Sequence, residues 1–475
     1  MIISAETSGA NGLRSRHLSF SQVLASSLGV MGISGSVVIM VPLIFASAGN
    51  GTCLAVAIAV LAYILVAFQI NVFARRIATV GSLYVYVQQG LGPLAGTVVG
   101  WALFLGYWGF VPVNIVAVSY YLLLFARNLM KIAPAMPPLT DVAVVACGVT
   151  ALAWWLTYRG VKLSSRVILF IECATISLIA VVIGGYFLSK GLSIDSAQLG
   201  LKDVSFGPFS LGLVLAMACF TGFEACSVLG IEARLPLKMI PRANMLTILI
   251  AGFAIIVSAY ALVQTFHGLS PALDKDAAPL TTLANSLGLS PIAPFILGGV
   301  AFSWFGCLLG CLNTGGRLLY ALSRQGLFHK AAARIHAKHN TPHIAGCLVA
   351  GTGLGVALAL LFNGIGVMDI INYLASFAAF GFLISYIMVS IAAVAYLAKQ
   401  RDKRVKARRI LSAVLAVGLM MIALVGSVYP VPDWPMNILS PLFFCALALG
   451  VGYFLYLRKK HPHRLLSSSE LMGKN

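Results

Sequence analysis

Charge is what this sequence lacks. Only 9% of its 475 residues are Asp, Glu, Lys or Arg, and 60% are hydrophobic, whereas soluble domains carry about 25% charged residues. A chain so poor in charge cannot cover itself with a polar surface, and lipid is its natural solvent. Long hydrophilic connections are also missing, which excludes a sizeable soluble catalytic or signalling domain. No Gly-x-Ser-x-Gly, His-Glu-x-x-His or Walker pattern occurs, so no catalytic constellation is visible. The nine cysteines lie scattered in apolar runs, without a paired set in an external loop, which argues against a disulfide framework. His329, His336, His339, His343, His461 and His463 have no acids or cysteines at ligand spacing, so neither a metal nor another cofactor is expected.

What is present is a series of continuous apolar runs such as Val56–Phe68 and Ile168–Leu188. Barrel strands would alternate apolar and polar residues; unbroken runs of about 20 residues are membrane helices. The spans are expected at 20–46, 52–73, 96–126, 140–157, 167–188, 208–231, 243–266, 292–322, 343–362, 370–397, 410–429 and 437–457. The fold class is therefore an all-α integral membrane protein of about twelve transmembrane helices. A polar tail of residues 1–19 precedes it, with no cleavable leader apparent, and a basic tail follows at 458–475.

The net charge of +19 belongs to this topology. With the N-terminus in the cytoplasm, all lysines and arginines but Arg127, Lys131, Lys190, Lys202 and Lys275 fall on the cytoplasmic side, the positive-inside pattern. Both termini are then cytoplasmic. The basic run Lys399–Arg409 is expected against anionic lipid headgroups. A nucleic-acid partner, which would need the charge gathered on one folded face, is not expected.

Two spans are interrupted. The first contains Gly29-Val30-Met31-Gly32-Ile33-Ser34-Gly35-Ser36 and then Pro42; the sixth contains Phe220-Thr221-Gly222-Phe223-Glu224. Unwound backbone inside a membrane is tolerated only where protein or a wet cavity receives its polar groups, and matched interruptions in two halves point to a transporter site. Spans one and six would run in opposite directions, so spans 1–5 (20–188) and 6–10 (208–397) would be inverted repeats, with 410–457 outside them. At the first break the amides of Ser34, Gly35 and Ser36 would attract a carboxylate. Carbonyls freed near Phe220 and Thr221 would accept from an ammonium group, so a zwitterion finds both poles satisfied.

Acids within spans are costly, at about 2.5–3.5 kcal/mol on insertion scales, and few occur. Glu224, mid-span, is a candidate proton carrier, because desolvation disfavours the charged carboxylate; the other reading is that it holds the broken helix by accepting from nearby backbone donors. Glu172, near Arg166, and Glu232, beside Arg234, are expected to be paired.

In order and spacing, several stretches resemble the amino acid–polyamine–organocation superfamily. They are Gly81-Ser82-Leu83-Tyr84-Val85-Tyr86 with Gly90, Gly92, Gly96 and Gly100-Trp101; Phe220–Glu224 with Glu232 and Ile240-Pro241-Arg242-Ala243; and Asn313 with Arg317–Arg324, Gly326 and Thr341-Pro342. The resemblance implies a LeuT-like five-plus-five inverted repeat, alternating access and an amino acid or related amine as substrate. It maps binding positions to Ile33, Ser34, Gly35 and Ser36, and to Ala218, Phe220, Thr221 and Gly222. The chain departs from the family pattern at Ala218, where some members place an aromatic, and in span five, where Glu172 and Thr175 stand near the lysine of some proton-coupled members. The expectation is a proton-coupled permease of a neutral or polar zwitterion in a bacterial inner membrane, with Glu224 and Glu172 as coupling candidates. Sodium coupling, a polyamine or cationic amino acid carrier, an exchanger and a transporter-shaped sensor are the alternatives.

Overall fold

The computed structural model describes residues 13, 15–130, 137–191, 194–267, 272–276, 278–400, 407–429, 431 and 433–460. The tail expectations for 1–12 and 461–475, and most of the basic run 399–409, lie outside these residues.

The described chain is helical nearly throughout: α1 (Phe20–Met31), α2 (Val41–Ala48), α3 (Thr52–Ala74), α4 (Leu83–Leu91), α5 (Pro93–Leu129), α6 (Leu139–Arg159), α7 (Val161–Lys190), α8 (Phe206–Ala218), α9 (Pro236–Phe266), α10 (Ala293–Arg324), α11 (His343–Phe362), α12 (Val367–Lys399), α13 (Ala407–Gly426) and α14 (Leu439–Lys460). Among the described residues ten stretches are long and apolar enough to cross a membrane. The first, Phe20–Ala74, has 55 residues, more than twice what one crossing needs, and it turns at Gly49–Gly51 between α2 and α3. The apolar helix α8 is shorter, at 13 residues.

Three central helices carry the assembly. Of the most apolar windows of α10, α12 and α5, 78%, 72% and 67% are buried, against 22% and 28% for α13 and α14; the last two helices are peripheral. The α5 helix packs along α10 and α12, α3 packs along α9, and α1 sits among α7, α9 and α10. The arm α8 lies on α2, so the interrupted spans are neighbours.

Local chemistry explains the interruptions. Gly32 adopts the left-handed conformation (φ 53°) and ends α1, a geometry that glycine reaches without steric cost. The helix resumes over Ile33–Gly35 and widens into a π-turn at Ser36–Met40, immediately before Pro42 in the first turn of α2. Proline lacks the N–H that would bond four residues back, and the wider turn accommodates it. In the sixth span α8 stops at Ala218, residues 219–224 form turns, and only a 3-10 segment, Ala225–Leu229, follows. The half-helix expected after the second break is therefore not an α-helix.

The segment preceding α1 is tied to the end of the sixth span. The Arg16 amide donates to the Ile231 carbonyl at 3.1 Å, His17 and Leu18 donate to the Glu232 carbonyl at 2.8 and 3.0 Å, and Arg234 donates back to Leu18 at 3.2 Å.

Candidate functional site

The interruption at Gly32 exposes polar backbone, and neighbouring side chains take up part of it. Cys307 of α10 donates its thiol to the Val30 carbonyl at 2.9 Å, and the Ser36 hydroxyl donates to the Met31 carbonyl at 3.3 Å. The Ser36 amide is engaged by the Gly32 carbonyl at 2.9 Å. The amides at the start of the resumed helix are therefore those of Ile33, Ser34 and Gly35, one position earlier than the sequence suggested. The Ser34 hydroxyl is buried with no hydrogen-bond partner among the described residues. It lines a cavity of 10 Å³ together with Thr175 and Val182 of α7 and Ile296 and Gly299 of α10.

At the second break, the Phe220 amide donates to the Met217 carbonyl at 3.2 Å, and the Thr221 hydroxyl donates to the Ala218 carbonyl at 2.9 Å. Gly222 has φ 83°, and a Cβ there would collide with the Val30 side chain. The two breaks thus touch directly. They are joined again where the Cys226 amide donates to the Ser27 hydroxyl at 2.9 Å. Phe220 is fully buried, in an aromatic group with Tyr63, Phe223 and Tyr386 whose ring centroids stand 5.5–5.6 Å apart.

Glu224 is fully buried. Tyr107 of α5 donates to its Oε1 at 2.8 Å, and Tyr386 of α12 donates to its Oε2. The carboxyl therefore does hold the break in place, but through tyrosine hydroxyls from two distant helices rather than through the backbone donors anticipated. An acid with both oxygens so engaged can stay ionised without a cation, or take a proton if a hydroxyl turns to accept.

Glu172 lies on the other flank of α1. It is 1% exposed, and neither carboxyl oxygen has a hydrogen-bond partner among the described residues. Its polar neighbour is Ser303 of α10, and a Cβ on Gly306 would lie 3.5 Å from Oε1. The expected ion pair is not found among the described residues: α7 turns the nearby Arg166 outward and Glu172 inward. Glu232 is paired, though not with Arg234: Arg317 of α10 donates from Nε to its Oε1 at 2.7 Å and from Nη2 to Oε2 at 3.2 Å. Arg317 also donates to the Asn313 carbonyl at 3.2 Å, and Asn313 donates to the Ser164 hydroxyl at 2.9 Å.

Sequence reasoning missed three contributors. Tyr386 and Tyr63 carried no signal, and Trp304, a residue of α10, presses its indole on Gly35: a Cβ there would stand 2.8 Å from Cε2 and 2.9 Å from Nε1.

Comparison with known proteins identifies the family. The amino acid permease family model matches residues 22–433. The chain belongs to the amino acid permease family. The low-affinity putrescine importer PlaP of Escherichia coli K12 is 27% identical over 74% of this chain and 75% of its own length. The branched-chain amino acid permease BcaP of Bacillus subtilis 168 is 25% identical over 84% of each chain. Human cationic amino acid transporter 4 is 25% identical over 72% of this chain and 54% of its own length. This is a multi-pass membrane transporter for amino acids or related amines, and its family is one of transporters rather than enzymes.

Proposed function

We propose that this permease drives proton-coupled uptake of a neutral or polar zwitterionic amino acid by alternating access. The observation that carries the reading is the contact of Gly222 with Val30: two unwound stretches lie side by side within the bundle, where backbone donors and acceptors converge. Ile33, Ser34, Gly35 and Ser36 would form one wall of the site, and Ala218, Phe220, Thr221 and Gly222 the other. Proton or sodium would be the coupling ion, and Glu224 and Glu172 are the candidate proton carriers, as the buried acids nearest the breaks.

The same reading counts twelve crossings. It takes 20–74 as two spans and 206–235 as a further, broken one, divides 20–188 and 208–397 into inverted repeats, and leaves 410–457 outside them. The pairing of α3 with α9 and of α5 with α10 supports this division, since these are the second and third spans of each half. The distribution of basic residues supports placing both termini in the cytoplasm, and the compact loops support a bacterial inner membrane.

A second reading, a carrier of polyamines or cationic amino acids, draws support from PlaP and from cationic amino acid transporter 4. In it Glu224 or Glu172 would complement substrate charge. Uptake into liposomes of purified protein tests both. Labelled amino acids and diamines are scanned with and without an inward proton gradient. Gradient-dependent accumulation of a zwitterion supports the first reading; accumulation of diamines and basic amino acids alone supports the second. Flux only into preloaded liposomes marks an exchanger, and binding without flux a sensor.

A further inference from the structure

We infer that His336 makes the connection between α10 and α11 a latch that opens on acidification and thereby loosens the hold of α10 on the sixth span. The connection, residues 325–342, lies in the cytoplasm in the topology proposed above, so the latch reads protons on that side. The inference goes beyond the transport reading and uses only its topology.

Hydrogen bonds fix the state of the imidazole. His336 Nδ1 accepts from the backbone amides of Lys338 and His339 at 3.3 and 3.2 Å. A ring nitrogen that accepts carries no proton, so the proton of the neutral ring is on Nε2. Nε2 stands 2.9 Å from the Tyr158 hydroxyl of α6 and therefore donates to it. One ring thus caps its own loop from within and fastens that loop to α6. The loop closes around it: the His336 amide donates to the Thr341 carbonyl and the Asn340 amide to the His336 carbonyl, each at 2.9 Å. A second tie to α6 runs from the Thr341 hydroxyl to the Tyr158 carbonyl at 3.0 Å.

A second proton on the ring undoes this. Protonated Nδ1 is a donor and would face two N–H donors, so the latched loop and the imidazolium exclude each other. The surrounding groups sharpen the conflict. His339 stacks on His336 with ring centroids 5.0 Å apart, and His343, in the first turn of α11, meets it edge-on at 5.4 Å. Arg159 of α6 and Lys338 lie within electrostatic reach of His339. None of these groups, nor Tyr158, is an acid that would offset a positive ring.

What lies behind the latch gives its opening a consequence. Tyr158, Thr341 and His343 line a crevice of 20 Å³ whose other wall includes Asn313 and Arg317 of α10. Arg317 holds Glu232 at the end of the sixth span. Attraction between two charges weakens as the local dielectric rises, so water admitted here loosens that pair.

Deuterium exchange of the full-length protein in detergent tests the inference. Rates for 328–342 and 225–235 are each divided by the intrinsic chemical rate at the same pH. A freed imidazole takes up its proton near 6.5, so between about pH 7.5 and about pH 5.5 wild type is expected to exchange roughly tenfold faster in both segments. His336→Asn keeps a side-chain oxygen that accepts from an amide two residues on but takes up no proton, and it is expected to exchange alike at both pH values. His336→Ala, with no acceptor, is expected to exchange rapidly at both. Wild type without an acid response, or His336→Asn with the wild-type response, overturns the inference. A loop that opens while 225–235 stays protected overturns it too, since the latch would then govern nothing beyond itself. Should His336→Asn misfold, His336→Gln, also an uncharged acceptor, takes its place. Substrate has no part in these measurements, so the permease reading stands under every outcome.

Discussion

The Tyr386 hydroxyl sits between the two ends of the sixth-span turn: it accepts from the Gly222 amide at 2.9 Å and donates to Glu224. One oxygen thus closes the turn and fastens it to α12, while Tyr107 fastens the same carboxyl to α5. Tyr386→Phe leaves both a buried amide and a carboxylate oxygen without a partner, and Tyr107→Phe leaves only an oxygen. Each such orphan costs about 1–3 kcal/mol. Tyr386→Phe should therefore be the more destabilising of the two, measured by thermal unfolding of purified protein in detergent. Equal losses would show that the Gly222 bond contributes nothing.

Glu224 and Glu172 differ in surroundings, and this separates their roles. Glutamine at 224 can still bridge the two tyrosines if one hydroxyl turns to accept, so Glu224→Gln should fold and catalyse counterflow of preloaded substrate. If Glu224 carries the proton, gradient-driven accumulation is lost while counterflow stays within about threefold, under 1 kcal/mol. Glu172→Gln, beside Ser303 and Gly306, tests the second candidate in the same two assays. Accumulation that survives in Glu224→Gln and disappears in Glu172→Gln would reassign the coupling proton to Glu172.

Much of this arrangement was legible from local sequence. Apolar run length located the helices, and the glycines around Gly32 and Gly222 located both breaks, because each needs a backbone conformation or close approach that other residues resist. What escaped was non-local. Glu224 meets Tyr107 and Tyr386 across 117 and 162 residues of chain, and Glu232 meets Arg317 across 85. No spacing rule reaches that far.

The pair of Arg317 and Glu232 fixes the lower end of the sixth span to α10, with side chains 2% and 3% exposed. Removing one member of a buried pair strands the other charge and costs about 3–5 kcal/mol, whereas replacing both by apolar residues is far milder. Arg317→Leu is expected to unfold at markedly lower temperature than wild type, and Glu232→Leu/Arg317→Leu to recover most of the difference. The segment before α1 bonds to the Glu232 carbonyl, so Arg317→Leu should also speed proteolysis near Arg16. A double variant no more stable than Arg317→Leu would mean that the pair contributes by something other than mutual neutralisation.

Asp195 provides a pH-dependent contribution outside the spans. Its carboxyl is buried, which pushes its pKa up, but donation from the Gln198 side chain and amide, the nearby His267 and the Ala197 amide outweigh burial and hold it below the usual carboxylate range. The contacts are 2.8 Å from Gln198 Nε2, 3.0 Å from the Ala197 amide and 3.0 Å to His267 Nε2. A carboxyl whose folded value lies below its unfolded one stabilises the fold at any pH above the unfolded value, about 3.9. That stabilisation is lost as pH falls through the lower, folded value. Asp195→Ala should therefore cost about 0.5–2 kcal/mol at neutral pH, the range for a lost helix N-cap. The gap from wild type should narrow as pH falls below about 4, read from unfolding temperatures of the two proteins in the same detergent. A gap that widens as pH falls from about 5 to about 3 would mean that the folded state binds the Asp195 proton more tightly than the unfolded chain, contrary to the hydrogen bonds around it.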